Sequence, residues 1–237
     1  MPTKHEIITI SNGNETVQIF PRKSRLAKRV IISVNERKGI ELIVPKRVSM
    51  KNAIAFAHKK QDWILARHRE LNHTPQIAFK EGAVIPILGA DYIIAHSGKL
   101  RGVAKIENDN IIISGLEEHI SRKTKQFLIK TAKSEINIRA NIEAKKLGVK
   151  FRKITLRDTS SRWGSCSQDG NLSFSWRLIF APRFVFDYVV AHEIAHLIEM
   201  NHSVKYWNIV ASICPTYEQA KYWLKKNGEE LHLYGED

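Results

Sequence analysis

Cysteine is nearly missing from this chain: only Cys166 and Cys214 occur among 237 residues. Two thiols cannot build a disulfide framework, nor a structural zinc site made of cysteine alone. Long apolar runs are missing too. No stretch approaches the roughly 18 residues that a bilayer-crossing helix needs. The opening residues, MPTKHEIITISNG, contain no apolar segment of the secretion-signal kind. A cytoplasmic location with reduced thiols is therefore expected. Negative charge is also scarce: 24 Asp and Glu stand against 38 Lys and Arg, a net +14. What remains, 43% hydrophobic and 26% charged, suffices for a soluble protein with a substantial core.

The positive excess is uneven. Residues 1–150 carry 28 basic and 14 acidic side chains, whereas 151–237 carry ten of each. A basic surface attracts polyanions, so nucleic acid or another polyanion is a candidate partner of the N-terminal part. The plainer reading is a solvated surface. The densest basic segments are RKSRLAKR (22–29) and SRKTKQFLIKTAK (121–133).

Short β-branched runs dominate the first part: TVQIF (16–20), RVIISV (29–34) and IELIVP (40–45). Residues 49–71 read as one helix with Ser49 as its N-cap. Strand patterns resume at 83–88, 91–96, 103–107 and 110–114. From 119 the period becomes helical, through Ile120, Phe127, Leu128, Thr131, Ile138 and Ile142, and stops at Gly148. Glu135 lies on that line, either as a carboxylate at the edge of the buried stripe or as a partner to a metal site. Residues 153–158 and 171–182 read as strands, with TSSRWGSCSQDG (159–170) a polar loop between them. Pro182 opens a helix expected to stop near Asn201, with Ser203 capping the next and a last helix after Pro215. The fold class is therefore α+β: a basic, β-rich domain over 1–118 with one helix near 49–71, then a catalytic domain over 119–237.

That late helix carries His192-Glu193-Ile194-Ala195-His196, an H-E-x-x-H pattern. Helical residues four apart face one way, so two imidazoles there can share one zinc ion. Glu193 then points beside the metal and can act as general base on water. Catalytic zinc uses three protein ligands and an open position. His202, six residues past His196, is the natural third ligand, and Glu218 on a later helix is a rival. The H-E-x-x-H-x5-H spacing equals that of metzincins, but Glu199 stands where they use a turn glycine.

RWGSCSQDGNLSFSWRLIFAP followed by DYVVAHEIAHLIEMNHSVKYW resembles the YgjP-like metallopeptidases. The matching residues are Arg162 to Cys166, Trp176-Arg177-Leu178, Pro182, Asp187 to Val190, His192-Glu193, His196, Asn201-His202-Ser203 and Trp207. The family is similar to the SprT-like and WLM-type proteases in having a compact zincin core. The resemblance implies metal ligands, with zinc as the expected ion, at His192, His196 and His202, and Glu193 as catalytic base; the leading reading of the substrate is a peptide or protein. It also leaves open a metal-dependent nucleotide or phosphoanhydride hydrolase. A third reading is a nucleic-acid-binding protein with a structural zinc. In zincins the strand before the active-site helix pairs with extended peptide, and here that strand would be 171–178. Arg162 and Arg177 either contact substrate or pair with acidic groups. Tyr206 either stabilises an oxyanion or packs beside Trp207. Trp163 and Trp176 read as core aromatics, and Cys166 as a small packed thiol.

Overall fold

The computed structural model describes residues 7–13, 15–35, 39–73 and 76–235. The chain forms two compact units, Met1–Pro75 and Gln76–Asp237.

In the first unit β1 (Ile8–Ser11), β2 (Thr16–Ser24), β3 (Ile31–Asn35) and β4 (Gly39–Pro45) form one sheet in the order β1-β2-β4-β3. Alternation buries Ile8, Ile10, Val17, Ile19, Ile40, Leu42 and Val44 in a core closed by Ala53, Ala57, Ile64 and Leu65. The helix expected over 49–71 is two helices, α1 (Met50–Lys59) and α2 (Gln61–His73), divided at Lys60. Ser49 does cap α1, its side chain accepting from the Asn52 N–H at 3.2 Å.

The second unit begins with β5 (Val84–Ile87), β6 (Ala90–His96), β7 (Lys105–Glu107) and β8 (Asn110–Ile113), in the order β5-β6-β8-β7. Both four-stranded sheets have the same connectivity: a central parallel pair flanked by antiparallel ones. No sequence period reveals this likeness.

The second sheet shares one core with the helices that follow it: Ile85, Ile94 and Ile111 pack with Leu128, Phe174 and Val189. This differs from the division expected at 118/119. Composition changes there, but the apolar face of the second sheet is buried against what comes later. The backbone agrees: Leu88 takes φ +53°, its N–H donates to the Ile179 carbonyl, and its carbonyl accepts from the Arg183 N–H.

Helix α3 (Ile120–Leu147) ends at Gly148, the stop expected there, which adopts a left-handed conformation. Its buried line runs through Ile120, Thr124, Leu128, Ala132, Ile136, Ala140 and Ala144. Ile138 and Ile142, expected on that line, are about half exposed. Small alanines win the buried positions because they let neighbouring elements approach closely.

β9 (Lys153–Arg157), β10 (Gly164–Cys166) and β11 (Asn171–Ser175) form a three-stranded sheet in the order β10-β11-β9. β10 lies inside the stretch read as loop. Gly-Ser-Cys has little strand propensity, and pairing with β11 decides its conformation. The strand expected over 171–182 ends at Ser175, where a buried 3-10 turn, Trp176–Phe180, begins. Helices α4 (Arg183–Ala195), α5 (Val204–Ile213) and α6 (Tyr217–Asn227) complete the unit. No helix among the described residues is long and apolar enough to cross a membrane.

Candidate metal centre

α4 is buried almost all round, from Val185 to Ala195. Ion pairs join it to α3: Arg183 reaches Glu135 at 2.8 Å, and Arg139 of α3 reaches Asp187 at 3.4 Å, while Arg183 and Asp187 pair within α4 at 3.0 Å. Arg139 also pairs with the fully buried Glu143 at 2.7 Å. Glu135 is thus an anchor for the start of α4 and no part of the histidine group.

The helix expected to stop near Asn201 ends at Ala195, so His196 is its C-cap. Asn201 is not left-handed. The chain turns instead through bonds from the Ile198 and Glu199 N–H groups to the Ala195 carbonyl, and from Ser203 N–H to the Asn201 carbonyl. Ser203 then caps α5, accepting from the Tyr206 N–H at 3.3 Å. This reversal brings His202 back.

His192, His196 and His202 each offer one ring nitrogen, all within 4.8 Å of one another, a group able to hold a metal ion. The Nε2 atoms of His192 and His202 are 3.2 Å apart. Glu218 is outside the group; it accepts from the Tyr217 hydroxyl at 3.3 Å.

Neighbours orient the imidazoles. His196 Nδ1 lies 3.1 Å from the Glu199 carbonyl. A carbonyl only accepts, so Nδ1 carries the proton and Nε2 keeps its lone pair. His192 Nδ1 lies 3.4 Å from the Tyr188 hydroxyl, one turn back. Burial holds both rings neutral: the pKa of His192 falls to about 3, lowered further by His196, His202 and Lys221, and that of His196 also falls. Three imidazole nitrogens converging from His192, His196 and the exposed His202 form a donor set that suits zinc.

Tyr206 is fully buried, its hydroxyl donating to the His192 carbonyl at 3.0 Å and its ring stacked on His196 at 4.5 Å. Its phenol proton is therefore engaged with the backbone of α4. Trp207 stacks on both His202 and Tyr217, with the Lys221 ammonium 4.6 Å above its ring.

Glu193 is 4% exposed, and burial pushes its carboxyl pKa up to about 8 against the opposing charge of Arg162. The backbone of β10 lies directly on it: a Cβ added to Gly164 would fall 2.5 Å from Oε1. The same neighbourhood holds the half-buried Cys166, whose thiol is pushed up to about 11 by burial and by Glu193.

The two arginines divide. Arg177 is fully buried and pairs with Asp158 at 2.7 and 3.3 Å. It also donates to the His232 and Tyr234 carbonyls and lies over the Trp176 ring. The acidic pairing is realised there, not a substrate contact. Arg162 is exposed and borders the groove along β10. Trp176 is a core aromatic, whereas Trp163 is half-buried and stacks on His232.

Peptide pairing is expected from the sequence on 171–178, but β11 is the central strand with both edges occupied. The edge beside α4 belongs to β10. Sequence reasoning misses this strand, and with it the role of Gly164. Tyr188 is within its reach, being four residues before His192 on one helix.

Over residues 28–227 the sequence matches the YgjP-like family, metallopeptidase domain. The chain belongs to the YgjP-like metallopeptidase family. It is thereby a metal-dependent hydrolase, with peptides or proteins as its class of substrate. Among solved structures it is similar to the metallopeptidase zymogen of Pyrococcus abyssi abylysin, at 19% identity and a TM-score of 0.36. That match covers 43% of this chain and 99% of the other. No curated protein matches significantly.

Proposed function

We propose that this YgjP-like protein is a zinc-dependent peptidase in which His192, His196 and His202 hold one zinc ion and Glu193 is the general base. The observation that carries the reading is the convergence of three oriented imidazoles beside a buried carboxylate. Zinc, when bound, supplies Lewis acidity that acidifies water and polarises a carbonyl. Glu193 takes a proton from water on one carboxylate oxygen and returns it to the leaving amine. Its low-dielectric surroundings keep its basicity near neutrality, which suits both transfers. The Glu199 carbonyl holds His196 in the tautomer that leaves Nε2 free to ligate, and the Tyr188 hydroxyl sits against His192 Nδ1. The free edge of β10 offers backbone donors and acceptors to an extended peptide.

Peptide libraries offered to the zinc-loaded protein, with Glu193→Gln as the blank, test the reading. Gln keeps the shape but cannot accept the proton, so turnover falls about 10²–10⁴-fold while zinc stays bound. Full activity in Glu193→Gln removes the assigned base, and cleavage of nucleoside triphosphates in place of peptides removes the peptidase.

A further inference from the structure

The outer face of the three-stranded sheet carries a groove of about 660 Å³. Registered partners project to the same side of a sheet. Ser165, Ser173 and Thr155 therefore share this face, with Lys153 and Arg157 at its two ends. Gly164, Phe174 and Leu156 share the opposite one. The groove is also bordered by Arg162 and by one carboxylate, Asp169. Among the described residues, Lys153, Arg157 and Arg162 form no ion pair.

The cations are not evenly placed. Arg157 is registered with Ser175, and the Ser175 N–H donates to the Trp163 carbonyl at 2.9 Å. Arg157 and Arg162 therefore meet at one end of the sheet. Lys153 lies at the other, registered with Asn171 beside the turn that holds Asp169. The arginine end is also where Gly164 lies on Glu193, and the charge of Arg162 acts on the Glu193 carboxyl.

We propose that Arg157 and Arg162 read an acidic side chain of the substrate, carried close to the scissile bond by a peptide paired to the edge of β10. An extended peptide alternates its side chains between the two faces of the sheet it joins. Those on the Gly164 side face Glu193, and those on the Ser165 side enter the groove. Arg162 precedes β10 and stands within one strand spacing, about 4.8 Å, of the added strand. Arg157 stands across β11 and adds its charge from there. Arg157 and Arg162 leave a positive field at this end of the groove that an Asp or Glu side chain complements. Both arginines are exposed, so the selectivity is modest: an exposed pair of this kind is worth up to roughly fivefold in affinity and weakens with salt.

The inference rests on the peptidase reading above, and binding separates the two. Zinc-loaded Glu193→Gln protein is titrated with fluorescent peptides that differ only by Glu or Gln at one position, scanned along the peptide. One position is expected where Glu binds roughly two- to fivefold tighter at low salt. Arg157→Gln and Arg162→Gln each reduce that preference. Equal binding of all Glu and Gln twins overturns the inference, as does a preference unchanged in both variants. Wild-type cleavage without charge preference removes the inference and leaves the peptidase standing. A binding preference with no cleavage of any peptide removes the peptidase and keeps the groove as an acidic-peptide site. Nucleoside triphosphate hydrolysis that depends on both arginines assigns the groove to phosphates and overturns the proposal.

Discussion

The Cα of Gly164 lies so close to Glu193 that an added Cβ would sit 2.5 Å from Oε1 and 2.6 Å from Cγ. Gly164 has no positive φ, so the glycine serves space alone. Glu193 is 4% exposed and has no room to retreat. Gly164→Ala is expected to displace the carboxylate and lower kcat at least tenfold, while the three histidines retain zinc. Steady-state kinetics beside metal analysis checks this, and unchanged kcat would show that the carboxylate's position is unimportant.

Zinc affinity separates the two candidates for the third ligand. His202→Ala should lose affinity by orders of magnitude, because a two-histidine site lacks the third donor. Glu218→Ala should bind as wild type does, since Glu218 pairs with Tyr217 outside the histidine group. Titration against a competing chelator gives both values, and the reverse ranking would move the third ligand to α6.

Tyr206→Phe tests whether the phenol stabilises an oxyanion. The hydroxyl donates to the His192 carbonyl and the ring packs on His196, so removing the oxygen costs about 1 kcal/mol of stability. Turnover should stay within a few-fold of wild type. An oxyanion donor would instead cost about 10²–10³ in kcat. A loss of that size would return Tyr206 to the catalytic set.

Metal-free protein should show a pH signature from Glu193. Its folded pKa is about 8 and its ordinary value 4.5, so the folded state binds more protons between them. Stability due to this group therefore falls as pH rises through that window. His192 acts with the opposite sign, its depressed pKa costing stability below about 6.5. Between pH 6.5 and 8 the Glu193 effect stands clear of it. Thermal melts of metal-free wild type should lose Tm across that interval, and Glu193→Gln should lose less. Parallel slopes would place the carboxylate in a wetter site.

Arg177→Ala should be severely destabilising. The guanidinium is fully buried, and its removal takes away the paired charge on Asp158 and the donors to two backbone carbonyls. A loss of about 3–5 kcal/mol is the scale for breaking such a pair. Denaturant melts measure it, and a loss below about 1 kcal/mol would mean that water replaces the arginine.

Much of the site is legible in the order of residues alone. His192, Glu193 and His196 declare themselves because helical spacing is local: residues four apart share a face whatever the helix packs against. Ser49 and Ser203 as caps, and Gly148 as a stop, are local in the same way. The difference between Arg162 and Arg177 is not legible there. They stand fifteen positions apart in one motif-rich stretch, yet one faces a groove and the other is walled in by Asp158 and the C-terminal segment.

By itself, then, the sequence determined the H-E-x-x-H helix, its histidines and glutamate, and the basic character of the first 150 positions, since each follows from spacing or composition. Only the tertiary structure decided that β10 exists, that β11 is closed on both edges, and that the second sheet belongs to the catalytic unit. Those features depend on which strands pair and which apolar faces meet, and partners such as Gly164 and Glu193 lie 29 positions apart in the chain. No local preference encodes such a meeting: Gly164 looks like a loop residue until a buried carboxylate occupies the space its missing Cβ leaves.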